Sequence, residues 1–313
     1  MLGMRRVKMS GLVLACLAGV LLFGCKRSEP EAGTVQGSIS FGGKERTFVY
    51  NLPNKVSESP AQLMIGLHGN GGDGVSQEHL SFLTDAIGDE NRIAVYPDGI
   101  DKSWADGRGT TDADMAGIDD VGFIGALIDY FVKNHKADPK RVYVMGMSNG
   151  SMMTNRLGCE LSEKIAAIGA VGGTMPEPIA MKCDPGRRVP AMMFHGTEDA
   201  FAPFDGGVVE KGAGGTVLSA TDTAARWAQI NGCASTPTVA TMPDVDPEDK
   251  ATVRKEEYKN CADGAETVLF VVEGGGHTWP GGWQYLGEAL VGVTTKDVVA
   301  TELLLEFFDR HSR

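Results

Sequence analysis

The 313-residue sequence lacks several features that would assign it to common functional classes. No two of its six cysteines form a C-x-x-C pair, so the commonest sign of a bound metal is missing, and we expect neither a metal nor an organic cofactor. It has no run of basic residues, and its 41 acidic and 29 basic side chains give a formal net charge of −12. Such a surface repels nucleic acid and anionic membranes.

The longest apolar run is too short to cross a membrane comfortably. It covers residues 10–24, fifteen residues against the about 20 that a spanning helix needs, and three basic residues precede it. This arrangement is typical of an export signal. The run ends in Leu-Phe-Gly-Cys25, which resembles the bacterial motif cut before a lipid-bearing cysteine. We therefore expect a signal at 1–24, lipidation at Cys25, a polar tether at 25–34 and a cell-envelope lipoprotein, with ordinary secretion as the alternative.

Four cysteines remain outside the signal and the lipid site. They are Cys159, Cys183, Cys233 and Cys261, an even number that predicts two disulfides in an exported chain. Four cysteines permit three connectivities. We favour the pairs that are local in sequence, Cys159–Cys183 and Cys233–Cys261, and four buried free thiols are the alternative.

Short apolar runs alternate with helical patterns through the rest of the chain. Residues 62–67 are apolar without alternation, as in a strand buried on both faces, whereas 119–134 has apolar residues at helical spacing. This alternation indicates one α/β domain, at 35–313, with a doubly wound, mostly parallel sheet. Residues 35–52 read as an antiparallel hairpin at its edge. We expect the polar segment 237–250 to be a loop.

Three polar residues each follow a different predicted strand. Ser148 follows VYVMG, Asp199 follows PAMMF and His277 follows TVLFVV. Catalytic groups of open α/β sheets lie beyond the carboxyl ends of the strands, so we expect the three side chains to meet there. Ser148 also centres a Gly-x-Ser-x-Gly pattern, which is weak alone in a chain with 42 glycines. The chain order Ser, Asp, His strengthens it, because this is the order in α/β-hydrolases.

These residue types can perform nucleophilic catalysis. The hydroxyl of Ser148 would need a base, and His277 suits because an imidazole with an unperturbed pKa of about 6.5 is mostly neutral near pH 7. Asp199 would orient the imidazole and stabilise its protonated form. The alternatives are a Ser148 that is only a turn residue, Asp205 or Asp222 as the acid, and His68 or His195 as the base. We expect these two histidines instead to brace their loops by hydrogen bonds.

An oxyanion formed on the substrate would need two hydrogen-bond donors. One should be the backbone N–H of Asn149, directly after the nucleophile. The other should come from the His-Gly-Asn-Gly-Gly loop at 68–72, where we favour Asn70 and keep Gly71 as the alternative. Trp279 follows the base and is expected to line the substrate pocket, with a place in the core as the alternative.

Five aspartates lie between residues 106 and 120. Clustered carboxylates could bind calcium, but this spacing fits no EF-hand loop. We expect a solvated loop that leads into the N-terminus of the helix at 119–134.

Six ordered motifs resemble the polyhydroxybutyrate depolymerase / feruloyl esterase family of secreted esterases. They are LHGNGGDG, YPDGIDKSW, DDVGFIGALID, VYVMGMSNGSMM, FHGTEDAFAP and GGGHTWPGG, and the resemblance runs from about residue 37 to the C-terminus. It implies an α/β-hydrolase that cleaves carboxylic esters, with Ser148, Asp199 and His277 as its triad. Asn70 stands where many relatives have cysteine, a change that a backbone donor tolerates.

The resemblance also limits the expected substrates. Because this sequence ends with its catalytic domain, we expect soluble hydroxyalkanoate oligomers, or feruloyl and acetyl esters on plant polysaccharides, and not solid polyester. We expect a monomer that touches the membrane only through its N-terminal lipid. The competing hypotheses are a serine peptidase on the same fold and a non-catalytic binding lipoprotein.

Overall fold

The computed structural model describes residues 31, 33–55, 57–88 and 90–313. The predicted signal, Cys25 and most of the predicted tether lie outside these residues. Within the described ranges, no helix is both long and apolar enough to cross a membrane.

The described part of the chain contains twelve strands and nine α-helices. The strands are β1 (Val35–Phe41), β2 (Lys44–Asn51), β3 (Ala61–Leu67), β4 (Arg92–Pro97), β5 (Ala137–Met147), β6 (Ala167–Val171), β7 (Ala191–Gly196), β8 (Gly207–Val208), β9 (Thr216–Val217), β10 (Thr238–Thr241), β11 (Thr252–Tyr258) and β12 (Thr267–Glu273). The helices are α1 (Gly74–Ser81), α2 (Leu83–Ile87), α3 (Asp112–Met115), α4 (Asp120–His135), α5 (Asn149–Glu160), α6 (Glu177–Ala180), α7 (Ala220–Ile230), α8 (Glu288–Val291) and α9 (Ala300–Asp309).

Ten strands form one sheet in the order β1-β2-β4-β3-β5-β6-β7-β12-β11-β10. The six strands from β4 to β12 in this order pair in parallel, and an antiparallel pair extends the sheet at each edge. The mostly parallel sheet and the hairpin formed by β1 and β2 confirm the predicted fold class. The prediction of a loop at 237–250 is partly wrong, because strand β10 lies within this range. All four residues of β10 are exposed, so the strand has no apolar pattern in the sequence.

Helices cover both faces of the sheet. Along β3, Leu63 and Ile65 pack into one apolar cluster with residues of α4, α5 and α7, whereas Met64 between them packs into a second cluster with α1, α2 and α9. Successive strand side chains point to opposite faces, so a strand inside this sheet must be apolar on both. This explains why the central strands read as continuous apolar runs.

The strand order reverses beside β5. The chain passes from β3 outward to β4, then returns to place β5 on the other side of β3. In open α/β sheets the crevice at such a reversal, beyond the carboxyl ends of the strands, is the usual binding site. The loop at 68–72 follows β3, and Ser148 follows β5, so both border this crevice.

Two disulfides each join a helix, or the residues just after it, to a segment further along the chain. Cys159 in α5 is bonded to Cys183 just after α6, and Cys233 after α7 is bonded to Cys261 before β12. These are the two local pairs that the spacing favoured. They close sequence separations of 24 and 28 residues, lengths for which restricting the unfolded chain contributes about 3–4 kcal/mol each.

Candidate active site

Ser148, the predicted nucleophile, occupies a sharp turn between β5 and α5. Its φ of 58° and ψ of −120° belong to a conformation that residues with a side chain rarely adopt. Its backbone N–H donates to Val171 O at 2.9 Å, which ties the turn to the end of β6. Such strain is typical of functional turns, where it holds a hydroxyl out at the N-terminus of a helix.

The two glycines of Gly-x-Ser-x-Gly are required by close packing. A Cβ on Gly146 would lie 2.4 Å from Gly150 O, and one on Gly150 would lie 2.3 Å from Leu67 O. Real Cβ atoms do not approach backbone oxygens this closely, so neither position accepts a side chain. The pattern therefore reflects the contact of the turn with the end of β3.

Asp199 and His277 form a buried pair in the loops after β7 and β12. His277 Nδ1 lies 2.7 Å from Asp199 Oδ2, and the side chain of Asp199 is inaccessible to solvent. The backbone N–H groups of Phe201 and Ala202 each donate to Asp199 Oδ1 at 2.8 Å. Burial by itself would raise the pKa of Asp199, but His277 and the N–H of Ala202 hold that pKa below its usual value. The ionised carboxylate thus engages Nδ1, which leaves Nε2 of His277 to take up a proton.

Two further histidines brace the loops around this pair, as expected. Burial lowers the pKa of His195, whose Nε2 lies 2.8 Å from Ala202 O and, as the neutral tautomer, donates to it. Burial also lowers the pKa of His68, whose Nδ1 lies 2.8 Å from Gly69 O and whose Nε2 accepts from Gly99 N–H at 2.9 Å. Both rings are committed to backbone partners, so neither suits the role of general base.

Consecutive glycines lie between Ser148 and His277. A Cβ on Gly172 would lie 3.5 Å from His277 Nδ1, and one on Gly173 would lie 2.4 Å from Ser148 O. This glycine pair therefore contacts both predicted catalytic residues and lets them approach. The described hydrogen bonds do not include one from Ser148 Oγ to His277, a contact that in many enzymes tightens only when substrate binds.

The loop at 68–72 lies directly over the predicted nucleophile. A Cβ on Gly69 would lie 3.3 Å from Ser148 Cβ. The N–H of Gly71 already donates to a backbone carbonyl at 2.8 Å, whereas in the described structure the N–H of Asn70 has no hydrogen-bond partner. Asn149 is the first residue of α5, and the first N–H groups of a helix have no partner within it. Beside Ser148, the N–H groups of Asn70 and Asn149 are thus available to an incoming acceptor, whereas that of Gly71 is already engaged.

The prediction that Trp279 lines the substrate pocket is wrong. Its side chain is 0% exposed, and its indole N–H donates to Thr301 Oγ1 at 2.9 Å, inside the core beside α9. An aromatic residue whose ring does lie beside the predicted base is Phe201, which is partly exposed and whose ring centroid lies 5.2 Å from that of His277. Sequence reasoning missed Phe201, although it stands two residues after Asp199.

The acidic segment is not a solvated loop throughout. Asp106 and Asp120 are fully buried, and they pair with Arg108 at 2.8 Å and Arg46 at 2.6 Å. Asp119 does have the expected role, because its side chain caps α4. Across the residues that the structure describes, no three His, Cys, Asp or Glu side chains cluster in a way that could hold a metal ion.

Replacing Gly150 by alanine tests the packing of the turn. Because the new Cβ would overlap the backbone at 2.3 Å, Gly150→Ala should lower the free energy of unfolding by about 1–3 kcal/mol or more in urea titrations. Gly125→Ala is the matched control, since Gly125 lies in α4 and its Cβ would meet nothing nearer than 3.7 Å. That control should gain about 0.5–1 kcal/mol. A Gly150→Ala protein as stable as wild type would contradict the close contact.

The charge of Asp199 should appear in the pH dependence of stability. Because the pKa of this carboxyl is lower in the folded protein than its unfolded value of about 3.9, its ionised form stabilises the fold above about pH 4. This contribution disappears as the pH falls through the folded pKa. The advantage of wild type over Asp199→Asn in unfolding free energy should therefore shrink below about pH 4. Asp205→Asn, at an exposed carboxylate nearby, controls for simple loss of charge, and an advantage independent of pH would contradict the account.

Comparison with known proteins agrees with this architecture. The family model described as phospholipase/carboxylesterase matches residues 54–222, more than half of the chain. NocK of Nocardia uniformis subsp. tsuyamanensis is named as an esterase by inference. It is 27% identical to this chain over 292 residues, which are 90% of this chain and 84% of NocK. Feruloyl esterase B of Piromyces equi is 30% identical over 241 residues, which are 74% of this chain but only 42% of the relative.

Solved structures support the fold. An acetyl xylan esterase from Aspergillus awamori superposes with a TM-score of 0.57 at 16% identity, covering 78% of this chain and 94% of that one. A thermostable esterase superposes with a TM-score of 0.56 at 13% identity, covering 90% of this chain and 64% of the other. At these identities the superpositions show a shared α/β-hydrolase fold and nothing finer. The family match, with the esterase relatives, identifies the chain as a carboxylic ester hydrolase of the phospholipase/carboxylesterase family, within the α/β-hydrolase superfamily.

Proposed function

We propose that the chain is an exported serine esterase in which Ser148, His277 and Asp199 act as a catalytic triad. The observation that carries the proposal is the buried Asp199–His277 pair, 2.7 Å apart, at the same end of the sheet as the strained turn of Ser148. A buried carboxylate is unfavourable unless it is paired and hydrogen-bonded. A protein that only binds esters would have no use for that arrangement beside a partly exposed serine.

The first half of the proposed reaction transfers the acyl group to the enzyme. His277 Nε2 takes the proton of Ser148 Oγ as the oxygen attacks the ester carbonyl carbon. The carbonyl oxygen becomes negative and accepts hydrogen bonds from the N–H groups of Asn70 and Asn149. Collapse of this intermediate breaks the bond to the alcohol oxygen, which leaves with the proton held by His277.

Water completes the cycle. His277, again neutral, removes a proton from a water molecule that attacks the acyl carbon, and the same two N–H groups stabilise the second oxyanion. Ser148 Oγ then leaves and recovers its proton from His277. Through both halves the ionised Asp199 stabilises the imidazolium and keeps Nδ1 protonated, so that Nε2 faces the reaction.

The proposed substrates are feruloyl or acetyl esters of soluble plant polysaccharide fragments, with hydroxyalkanoate oligomers as the second class. Curated relatives include a feruloyl esterase B and a bifunctional acetylxylan esterase/xylanase from Neocallimastix patriciarum, the latter 31% identical over 48% of this chain and 21% of its own length. The partly exposed ring of Phe201 beside His277 offers an apolar wall against which an aromatic acyl group can pack.

We further propose that residues 1–24 are an export signal, that Cys25 carries lipid, that 25–34 form a tether and that 35–313 form the single catalytic domain. Two disulfides support an oxidising compartment, because such bonds rarely persist in the cytosol. The first strand begins at Val35, where the catalytic domain is proposed to start.

Ester cleavage by the purified chain that begins after Cys25 tests the proposal. Ser148→Ala should lower kcat by at least about 10⁴-fold, because the nucleophile is removed while the fold is kept. Ser151→Ala is the matched control: this serine is buried one turn along α5, and its hydroxyl donates to Gly173 O at 2.6 Å. It should retain activity. Comparable cleavage by wild type and Ser148→Ala would contradict the proposed nucleophile.

The same assay distinguishes the substrate classes when methyl ferulate, an acetylated xylo-oligosaccharide and a 3-hydroxybutyrate oligomer are compared. Cleavage of either of the first two in preference to the oligomer would support the polysaccharide esters. Preference for the oligomer would support the second class. Turnover of a peptide anilide faster than of any ester would support a peptidase.

A further inference from the structure

The two proposed oxyanion donors come from segments that are distant in the chain. Asn70 belongs to the loop after β3, and Asn149 begins α5 after β5. Both N–H groups must lie about 3 Å from one developing negative oxygen, so their separation has to be fixed before substrate arrives. A third segment, which spans residues 102–106, contacts both of them.

On one side this segment holds the loop at 68–72. Lys102 O accepts a hydrogen bond from Gly71 N–H at 2.8 Å, directly after Asn70. Trp104 Nε1–H donates to His68 O at 2.9 Å, and the rings of His68 and Trp104 lie 4.9 Å apart. The loop that presents the Asn70 N–H is thus held on both sides of that residue.

On the other side the segment holds the start of α5. Trp104 N–H donates to Asn149 Oδ1 at 2.8 Å, and Asn149 Nδ2 donates to Trp104 O at 3.1 Å and to Asp106 Oδ2 at 2.7 Å. The side chain of Asn149 therefore pairs with the backbone of Trp104 much as a neighbouring strand would. All three residues are buried, with exposures of 1% or less, so water does not compete for these bonds.

The segment is itself rigidly anchored. Ala105 N–H donates to Asp120 Oδ2 at 2.8 Å, and Asp120 pairs with the buried Arg46 at 2.6 Å. Asp106 pairs with Arg108 at 2.8 Å, so the carboxylate beside Asn149 is also compensated. Buried charges paired in this way fix one arrangement of the backbone, because any displacement would leave a charge without its partner.

We infer that Trp104 is a positioning residue that sets the separation of the two oxyanion donors. Its indole N–H fixes the loop that carries Asn70, and its backbone fixes Asn149. It is fully buried and touches no substrate. This inference rests on the proposed function, since it assumes that both N–H groups stabilise the oxyanion.

Trp104→Phe tests the inference, because phenylalanine keeps an aromatic ring but cannot donate to His68 O. The loop then loses its hold on one side, and small displacements of catalytic groups reduce rates by up to about 100-fold. With a short p-nitrophenyl ester we expect kcat to fall about 10- to 100-fold and KM to change less than about threefold. Affinity for an alkyl trifluoromethyl ketone, which forms a tetrahedral adduct carrying the oxyanion, should fall by about the same factor as kcat.

Trp227→Phe is the matched control. Trp227 is also 0% exposed, and its indole N–H also donates one hydrogen bond, at 2.8 Å, but the acceptor is Asn155 Oδ1 in the middle of α5 and not a group next to Asn70 or Asn149. We expect this variant to lose thermal stability like Trp104→Phe while keeping wild-type kcat and ketone affinity. Equal changes in kcat for the two variants would overturn the inference, as would a change confined to KM.

Asn149→Leu covers the case in which Trp104→Phe does not fold. Leucine is similar in shape and adds no charge, and it removes the hydrogen bonds of the Asn149 side chain with Trp104 and Asp106 while the backbone N–H at position 149 remains, so it too should lower kcat and ketone affinity together. Wild-type values of both would overturn the inference. Failure of the proposed function appears separately, as ester cleavage that survives Ser148→Ala in otherwise intact protein.

Discussion

The contact between the end of β3 and the turn after β5 is the constraint on which the proposed site depends. Gly150 lies against the carbonyls of Leu67 and His68 with no space for a single additional carbon atom. That approach forces Ser148 into its strained conformation and places the loop at 68–72 over the hydroxyl. Because β3 and β5 are neighbours where the strand order reverses, topology supplies the crevice and this packing supplies its shape.

Three carboxylates buried around this crevice are each paired. Asp199 has His277 and two backbone donors, Asp106 has Arg108, and Asp120 has Arg46. Isolated charges at these depths would be strongly destabilising, whereas paired ones fix the loops that carry them. The chemistry proposed for the site needs loops of this kind, because oxyanion stabilisation depends on donors that do not move as charge develops.

The sequence was informative wherever a residue's role followed from its position relative to a buried strand. Ser148, Asp199 and His277 each follow such a strand, and parallel strands bring their carboxyl ends to one edge, so their proximity could be anticipated. Continuous apolar runs likewise predicted the doubly wound sheet. β10 was missed because an exposed edge strand carries no apolar pattern.

Other features depend on tertiary contacts that no local pattern encodes. The sequence places Trp279 near His277, but only packing against α9 decides that its ring is buried. The charges of Asp106 and Asp120 suggested solvent, and their arginine partners are identifiable only once the chain is folded. The pairing of the Asn149 side chain with the backbone of Trp104 is of the same kind.

The measurement that most directly tests the central claim is the site of covalent modification by a fluorophosphonate. Trypsin should release residues 142–156 as one peptide, which contains both Ser148 and Ser151, so fragmentation in the mass spectrometer can assign the adduct. The account predicts an adduct on Ser148 alone in the wild-type protein, and slow or absent labelling in His277→Ala, where no base remains to activate the hydroxyl. An adduct on Ser151 or elsewhere, or labelling of Ser148 at the same rate without His277, would contradict it.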